Sequence, residues 1–233
     1  MVLNSLANTK LQEEQIFVQK LNSKLDFIEK ELIIAKKLRM DPWISSKRSQ
    51  TEQQDFKQRL IKYYQRADPP NNIFCMVLNK SYPSKQVIAF HIWKSATNGK
   101  GMDEFGLKAK DLHSERNGLL LASAIEQAFD VKRVCFQYNP LNKQLILVVL
   151  DPSLLPTLVT PSTTSTFQSI SGRCLQHPNG NYPFRRILGW HAKMSYEHAF
   201  EQGWIDQATF EQFQDHQKLS NPSLPDDDWN DEE

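Results

Sequence analysis

The stretch Ala-Asp-Pro-Pro-Asn-Asn, residues 67 to 72, separates two kinds of pattern in this chain. Two consecutive prolines lack backbone N–H donors and hold φ near one value, and the flanking Asp and Asn favour turns. No long helix and no central strand continues through such a stretch. Before it, apolar residues recur at helical spacing. After it, short apolar runs bounded by turn residues read as strands, with helical stretches between and beyond them. The expected class is therefore α+β, with the folded domain beginning at residue 73.

Residues 10 to 39 read as one helix. Leu11, Val18, Leu25 and Leu32 are seven apart, Leu21, Ile28 and Ala35 take the complementary heptad positions, and Glu14 breaks the pattern. This spacing predicts a coiled-coil-like helix over residues 1–40 and a homodimer through residues 10–39; the alternative is a helix that lays its stripe on its own domain. Asp41-Pro42 ends it. Residues 41–72 read as a polar helix and linker, with Phe56, Leu60, Ile61 and Tyr64 on one face. The first twenty residues hold no signal-peptide core and no apolar run is long enough to cross a bilayer, so an intracellular protein, cytoplasmic or nuclear, is expected. Lys plus Arg number 28 and Asp plus Glu 27, so any attraction to phosphate must come from local patches. Cys75, Cys135 and Cys174 are far apart and form no CxxC pair, which favours three buried thiols over a zinc ribbon or a redox motif.

Beyond the break, "IFCMVLN" and "QVIAFHIW" read as two strands of one hairpin across "KSYPSK". A long Gly-containing loop follows, and "NGLLLASAIEQAF" reads as a helix. "RVCFQYN" and "QLILVVL" suggest a further hairpin. Residues 151–166 are a Pro/Ser/Thr loop. Helices are expected at 185–203, with Ile187, Trp190, Met194 and Ala199 near one stripe, and at 206–218. The last residues, 221–233, form an acidic tail with almost nothing to bury, expected to be disordered.

A strand ending in His91 and a helix entered at Asn117 can bring an imidazole, an amide and the inner face of the helix to one cavity. Glu126 and Asp130, four apart, share one helical face and form a hard oxygen pair suited to Mg²⁺ or Mn²⁺. An imidazole opposite them can take a proton from water near neutral pH. Asn117 can hold the loop and orient the imidazole. Each residue also has a simpler reading: a structural histidine, an Asn-Gly turn, a solvated helix residue and a loop-entry aspartate. Lys94, Lys100, Arg116, Arg185 and Arg186 are candidate nucleic-acid contacts, although Asp103, Glu104, Asp111 and Glu115 lie among the loop lysines. His113 is a possible accessory ligand; His191 and Trp190 read as packing.

"FCMVLNKSYPSKQVIAFHIW", "RNGLLLASAIEQAFD" and "YPFRRILGWHAKMSYE" together resemble the HNH endonucleases, in the subgroup with Ala-His-Ile, Arg-Asn-Gly-Leu-Leu-Leu and Phe-Asp segments found in fungi and protists. The resemblance covers about residues 73 to 198. It implies a ββα-metal nuclease core within residues 73–200; the residue pattern adds an extra β-hairpin and flanking helices, with a terminal helical segment at 201–220. It implies a metal-dependent endonuclease acting on nucleic acid, expected to be DNA. His91 matches the general base, Asn117 the central asparagine, and Glu126 and Asp130 the metal-holding positions. Glu126 stands where the family's last histidine normally is, which favours Mg²⁺ or Mn²⁺ over Zn²⁺. Phe90 stands where many members carry a ligand and cannot coordinate. The rival expectations are a catalytically inactive HNH-fold nucleic-acid-binding module and a coiled-coil interaction protein.

Overall fold

The computed structural model describes residues 50–161, 164–178 and 180–219, together with the helical positions Gln15, Val18, Asn22 and Leu25. The chain divides into two compact units, Met1–Ser45 and Ser46–Glu233. In the first, the heptad expectation for residues 10–39 falls outside the described residues apart from those four positions, of which Val18 and Leu25 are exposed. The expected acidic tail also lies outside them. No helix among the described residues is long and apolar enough to cross a membrane.

The second unit is α+β. Helix α1 (Gln50–Tyr63) is followed by a small antiparallel sheet of β1 (Ala67–Asp68), β2 (Asn72–Phe74) and β3 (Ser81–Pro83). The Pro-Pro break is thus the turn between two short paired strands. Strand β4 (Val87–His91) pairs antiparallel with β5 (Gly118–Ala122), which leads directly into helix α2 (Ser123–Asp130). A second hairpin, β6 (Val134–Asn139) with β7 (Gln144–Val149), follows. The one-turn helix α3 (Phe167–Ile170) and the longer helices α4 (Arg185–Glu201) and α5 (Gln207–Leu219) complete the unit.

Two differences from the sequence expectation matter for the site. The apolar run at 73–79 is a strand only to Phe74, and the partner of β4 is "GLLLA", expected as the first turn of a helix. Every residue of that run is buried. A continuously apolar segment covered on both faces suits a buried strand as well as a buried helix turn, and periodicity alone does not separate the two. The second difference is α1, which the sequence sets before the domain. Phe56 and Leu60 of α1 and Tyr64 just past its end, spaced four apart, are all buried, and α1 lies against β4 and β5. Tyr64 Oη donates to the Gly118 carbonyl at 3.1 Å. The Lys57 ammonium caps the start of β4, donating to the Ser84 and Val87 carbonyls at 2.5 and 2.6 Å. Burying side chains of this size contributes about 1.5–3 kcal/mol each, so α1 is part of the core.

The outer edge of β5 is closed by the segment between β2 and β3. Met76 N–H donates to the Leu120 carbonyl at 2.9 Å, while the Leu120 and Ala122 N–H groups reach the sulfurs of Met76 and Cys75, both at 3.3 Å. Such cover removes an exposed strand edge. Cys75 and Cys135 are buried, as expected, but Cys174 is only partly so. On the other side of the unit, Cys135, Leu150, Ala192, Tyr196, Ala199 and Phe213 form one cluster that packs α4 and α5 onto the second hairpin. In α4 the buried stripe includes Ile187 and Ala199, with Ala192 and Tyr196 rather than Trp190 and Met194 at its centre.

Gly118 shows how closely α1 approaches. A Cβ there would stand 2.6 Å from Phe56 Cζ and 2.8 Å from both Leu60 methyl carbons. Its backbone is extended, so close approach, not a special φ, is what requires glycine. Gly118→Ala is expected to lower unfolding stability by about 1–3 kcal/mol through overpacking. Urea denaturation measures this, and an unchanged midpoint would show that the helix stands off the ladder.

Candidate functional site

Strand β4 leaves its ladder at His91 and the chain returns at Gly118, directly opposite in register. The loop between them is folded on itself. Ile92, Trp93, Met102, Phe105 and Leu112 are buried in it, and Trp93 Nε1 donates to the Lys100 carbonyl at 3.1 Å. Asn117 closes it. Fully buried, its side chain accepts from Trp93 N–H at 2.8 Å and donates to the carbonyls of Trp93 and Leu112 at 3.0 and 2.9 Å. Its own carbonyl accepts from Ile92 N–H at 2.9 Å. The Asn117 amide thus spends its donors and its acceptor on loop backbone, not on the imidazole.

Successive strand residues point to opposite faces, and this separates the two residues at the end of β4. Phe90 faces α2, its ring 5.3 Å from that of Phe129. His91 faces α1, stacked on Phe56 with ring centroids 3.7 Å apart, and is 5% exposed. Where the sequence set His91 facing the two acids, its ring is covered by Phe56 of α1, while the acids stand on α2. The cause is α1, whose contribution to this layer no local pattern signals.

Glu126 and Asp130 lie on α2, both half-buried. Lys94 Nζ stands 2.5 Å from Asp130 Oδ1. Burial and then the neighbouring Asp130 push the Glu126 carboxyl above the usual carboxylate range, and Lys94 partly offsets this. The three groups thus form one electrostatic cluster. Helix α2 is itself anchored by His191 of α4. Its ring lies flat on Phe129, with centroids 3.6 Å apart and planes 9° from parallel. Its Nε2 is 2.9 Å from the Phe129 carbonyl, which can only accept, so Nε2 carries the proton. Burial pushes the His191 pKa down to about 3, the carbonyl contact opposing this. The packing expected for His191 is present, but its anchoring of the acid-bearing helix has no sequence signal, because α4 lies far along the chain.

Most of the basic candidates are engaged within the unit. Lys94 is bound to Asp130, and Lys100 is exposed on the loop. Arg116 lies 5.1 Å from the Phe184 ring centroid and Arg185 lies 4.1 Å from that of Tyr138. Arg186 donates to the Phe105 carbonyl at 2.9 Å. These three arginines tie the loop and the second hairpin to α4. His113 is exposed, and its carbonyl accepts from Arg59.

As a donor set, Glu126 and Asp130 fit Mg²⁺ or Mn²⁺, which take one or two carboxylates and complete their shell with water and phosphate oxygens. They do not fit Zn²⁺, which wants three or four protein ligands. Among the described residues no group of three or more His, Cys, Asp or Glu is gathered where it could hold an ion.

Residues 75–137 match the family model HNH_2, HNH endonuclease. The match begins at the cover of β5 and ends within β6, so it contains β4, the loop, β5 and α2, but not α1. No curated protein matches the chain. Endonucleases of this family act on nucleic acid and generally use a divalent metal ion.

Two outcomes follow from this geometry. Asn117→Ala is expected to cost roughly 2–4 kcal/mol, because it leaves the buried Trp93 N–H without its acceptor. The measurement is urea unfolding together with limited proteolysis, which should cut within residues 92–117 first. For His191, a folded pKa below the ordinary 6.5 means that the native state binds fewer protons than the unfolded chain. The associated stability is full above about pH 6.5 and is lost as pH falls toward 3. His191→Gln should therefore flatten the decline in unfolding free energy between pH 6.5 and pH 4; parallel pH profiles for the two proteins would refute the assignment.

Proposed function

We propose that this chain, whose residues 75–137 carry an HNH endonuclease domain, is a nuclease that hydrolyses phosphodiester bonds in DNA with a divalent cation. The observation that carries this reading is the family match across the whole ββα unit. The Asn117 clamp that joins the two ends of its loop supports it. In this reading Glu126 and Asp130 hold Mg²⁺ or Mn²⁺ from one face of α2. The bound ion supplies charge stabilisation to the phosphate and the leaving oxygen. His91 takes the proton of the attacking water, and for this its ring must come out from beneath Phe56. Asn117 holds the end of β4, and so the His91 backbone, in place through the Ile92 and Trp93 hydrogen bonds. The exposed Lys100 is the loop's candidate for contact with a backbone phosphate. Pairing of two copies through residues 10–39 would set two such sites on one duplex.

A second reading has its own observations. Phe56 lies on His91, Phe90 offers carbon where a ligand would stand, and an ammonium already binds Asp130. These favour a domain that binds nucleic acid without cutting it. Plasmid nicking with Mg²⁺ or Mn²⁺ separates the two. The nuclease reading expects cleavage that falls about 10²–10⁴-fold in His91→Ala, the usual loss on removing a general base. Equal background from the purified protein and the variant, with DNA still retained in a gel-shift assay, selects the binding module instead.

A further inference from the structure

The cluster formed by Lys94, Glu126 and Asp130 has a built-in asymmetry. The two carboxylates are one helical turn apart on α2, and burial and then the Asp130 charge push the Glu126 carboxyl up. One cation from outside the helix answers them: Lys94, 2.5 Å from Asp130 Oδ1. The Lys94 backbone is pinned, since its carbonyl accepts from Thr97 N–H at 3.1 Å and from Thr97 Oγ1 at 2.7 Å. Its side chain is not pinned in the same way. It is 43% exposed, and the Asp130 side chain 33%. A lysine stem carries a compact point charge on rotatable bonds, so the ammonium can leave the carboxylate without moving the strand or the loop.

We propose that Lys94 is the resident counter-cation of the Glu126–Asp130 pair, holding Asp130 while no ion is bound and releasing it when Mg²⁺ or Mn²⁺ takes the pair. This rests on the reading that the pair is a cation site. Lys94 is then a positioning residue for the ion rather than a ligand: it keeps two half-buried acids tolerable in the ion-free protein and lowers the apparent affinity of any metal that must displace it. Once displaced, the ammonium is a free partner for a phosphate oxygen at the same edge of α2. Ion and nucleic acid therefore favour each other's binding, because each relieves a competitor of the other.

The experiment is Mn²⁺ titration of the full chain by calorimetry, without nucleic acid, on wild type, Lys94→Met, Lys94→Arg and Asp130→Asn. Lys94→Met should bind Mn²⁺ about five-fold more tightly than wild type, the scale of a partly exposed ion pair. Lys94→Arg, which keeps the charge, should stay near wild type, and Asp130→Asn should lose the uptake. Lys94 is partly exposed, so the Met and Arg variants are expected to melt as cooperatively as wild type. Equal affinities in wild type and Lys94→Met, with uptake still lost in Asp130→Asn, would overturn the counter-cation role and leave the ion site standing. Absence of saturable uptake in all four proteins would remove the ion site, and the exchange with it.

Discussion

The β4–β5 ladder pressed between two helices is the constraint on which the rest of the structure depends. Its two faces are claimed by different partners: α1 lies on the face of Ala89, His91 and Gly118, and α2 on the face of Phe90 and Leu119. Only a glycine at position 118 lets α1 come as near as it does, and only that approach sets Phe56 on the His91 ring. The polar devices follow from the same packing. Asn117 is needed because the loop starts and ends beside a fully buried turn of backbone, where each N–H and C=O requires a partner. Tyr64 and Lys57 answer carbonyls that the ladder leaves at its two ends.

The electrostatics of the candidate site are a consequence of where α2 is held. Phe129 fixes the helix from three directions, meeting Phe90, Phe136 and His191. That leaves Glu126 and Asp130 on the side toward Lys94, half out of water, where burial pushes the Glu126 carboxyl up and the Lys94 ammonium partly offsets it. A neutral His191 beneath the same helix adds no charge of its own at neutral pH. The cation that meets them is Lys94, on Asp130.

Much of the second unit was legible in residue order. The second hairpin, the helix from Arg185 and the polar helix with Phe56, Leu60 and Tyr64 on one face follow from period and turn chemistry. The pairing of β4 was not. A run such as Gly-Leu-Leu-Leu-Ala is equally compatible with a helix turn and a buried strand, and its true partner lies across a loop that looks irregular in sequence. That loop proves packed, because Trp93, Met102, Phe105 and Leu112 are all buried, a set too unevenly spaced for any periodic template. The alternation that sends Phe90 and His91 to opposite faces is readable in principle, but its meaning depends on knowing that a helix covers each face.

The sequence alone determined the class of the fold and its likeness to the HNH endonucleases, since these rest on local pattern and on motifs that stay contiguous in the chain. It also determined that two acids share one helical face, a matter of spacing. Tertiary structure decided which residues those acids and the imidazole meet. Phe56 on His91, Lys94 on Asp130 and His191 under Phe129 are contacts between elements distant in the chain. Such contacts are selected by shape and burial in three dimensions, for which no one-dimensional period exists.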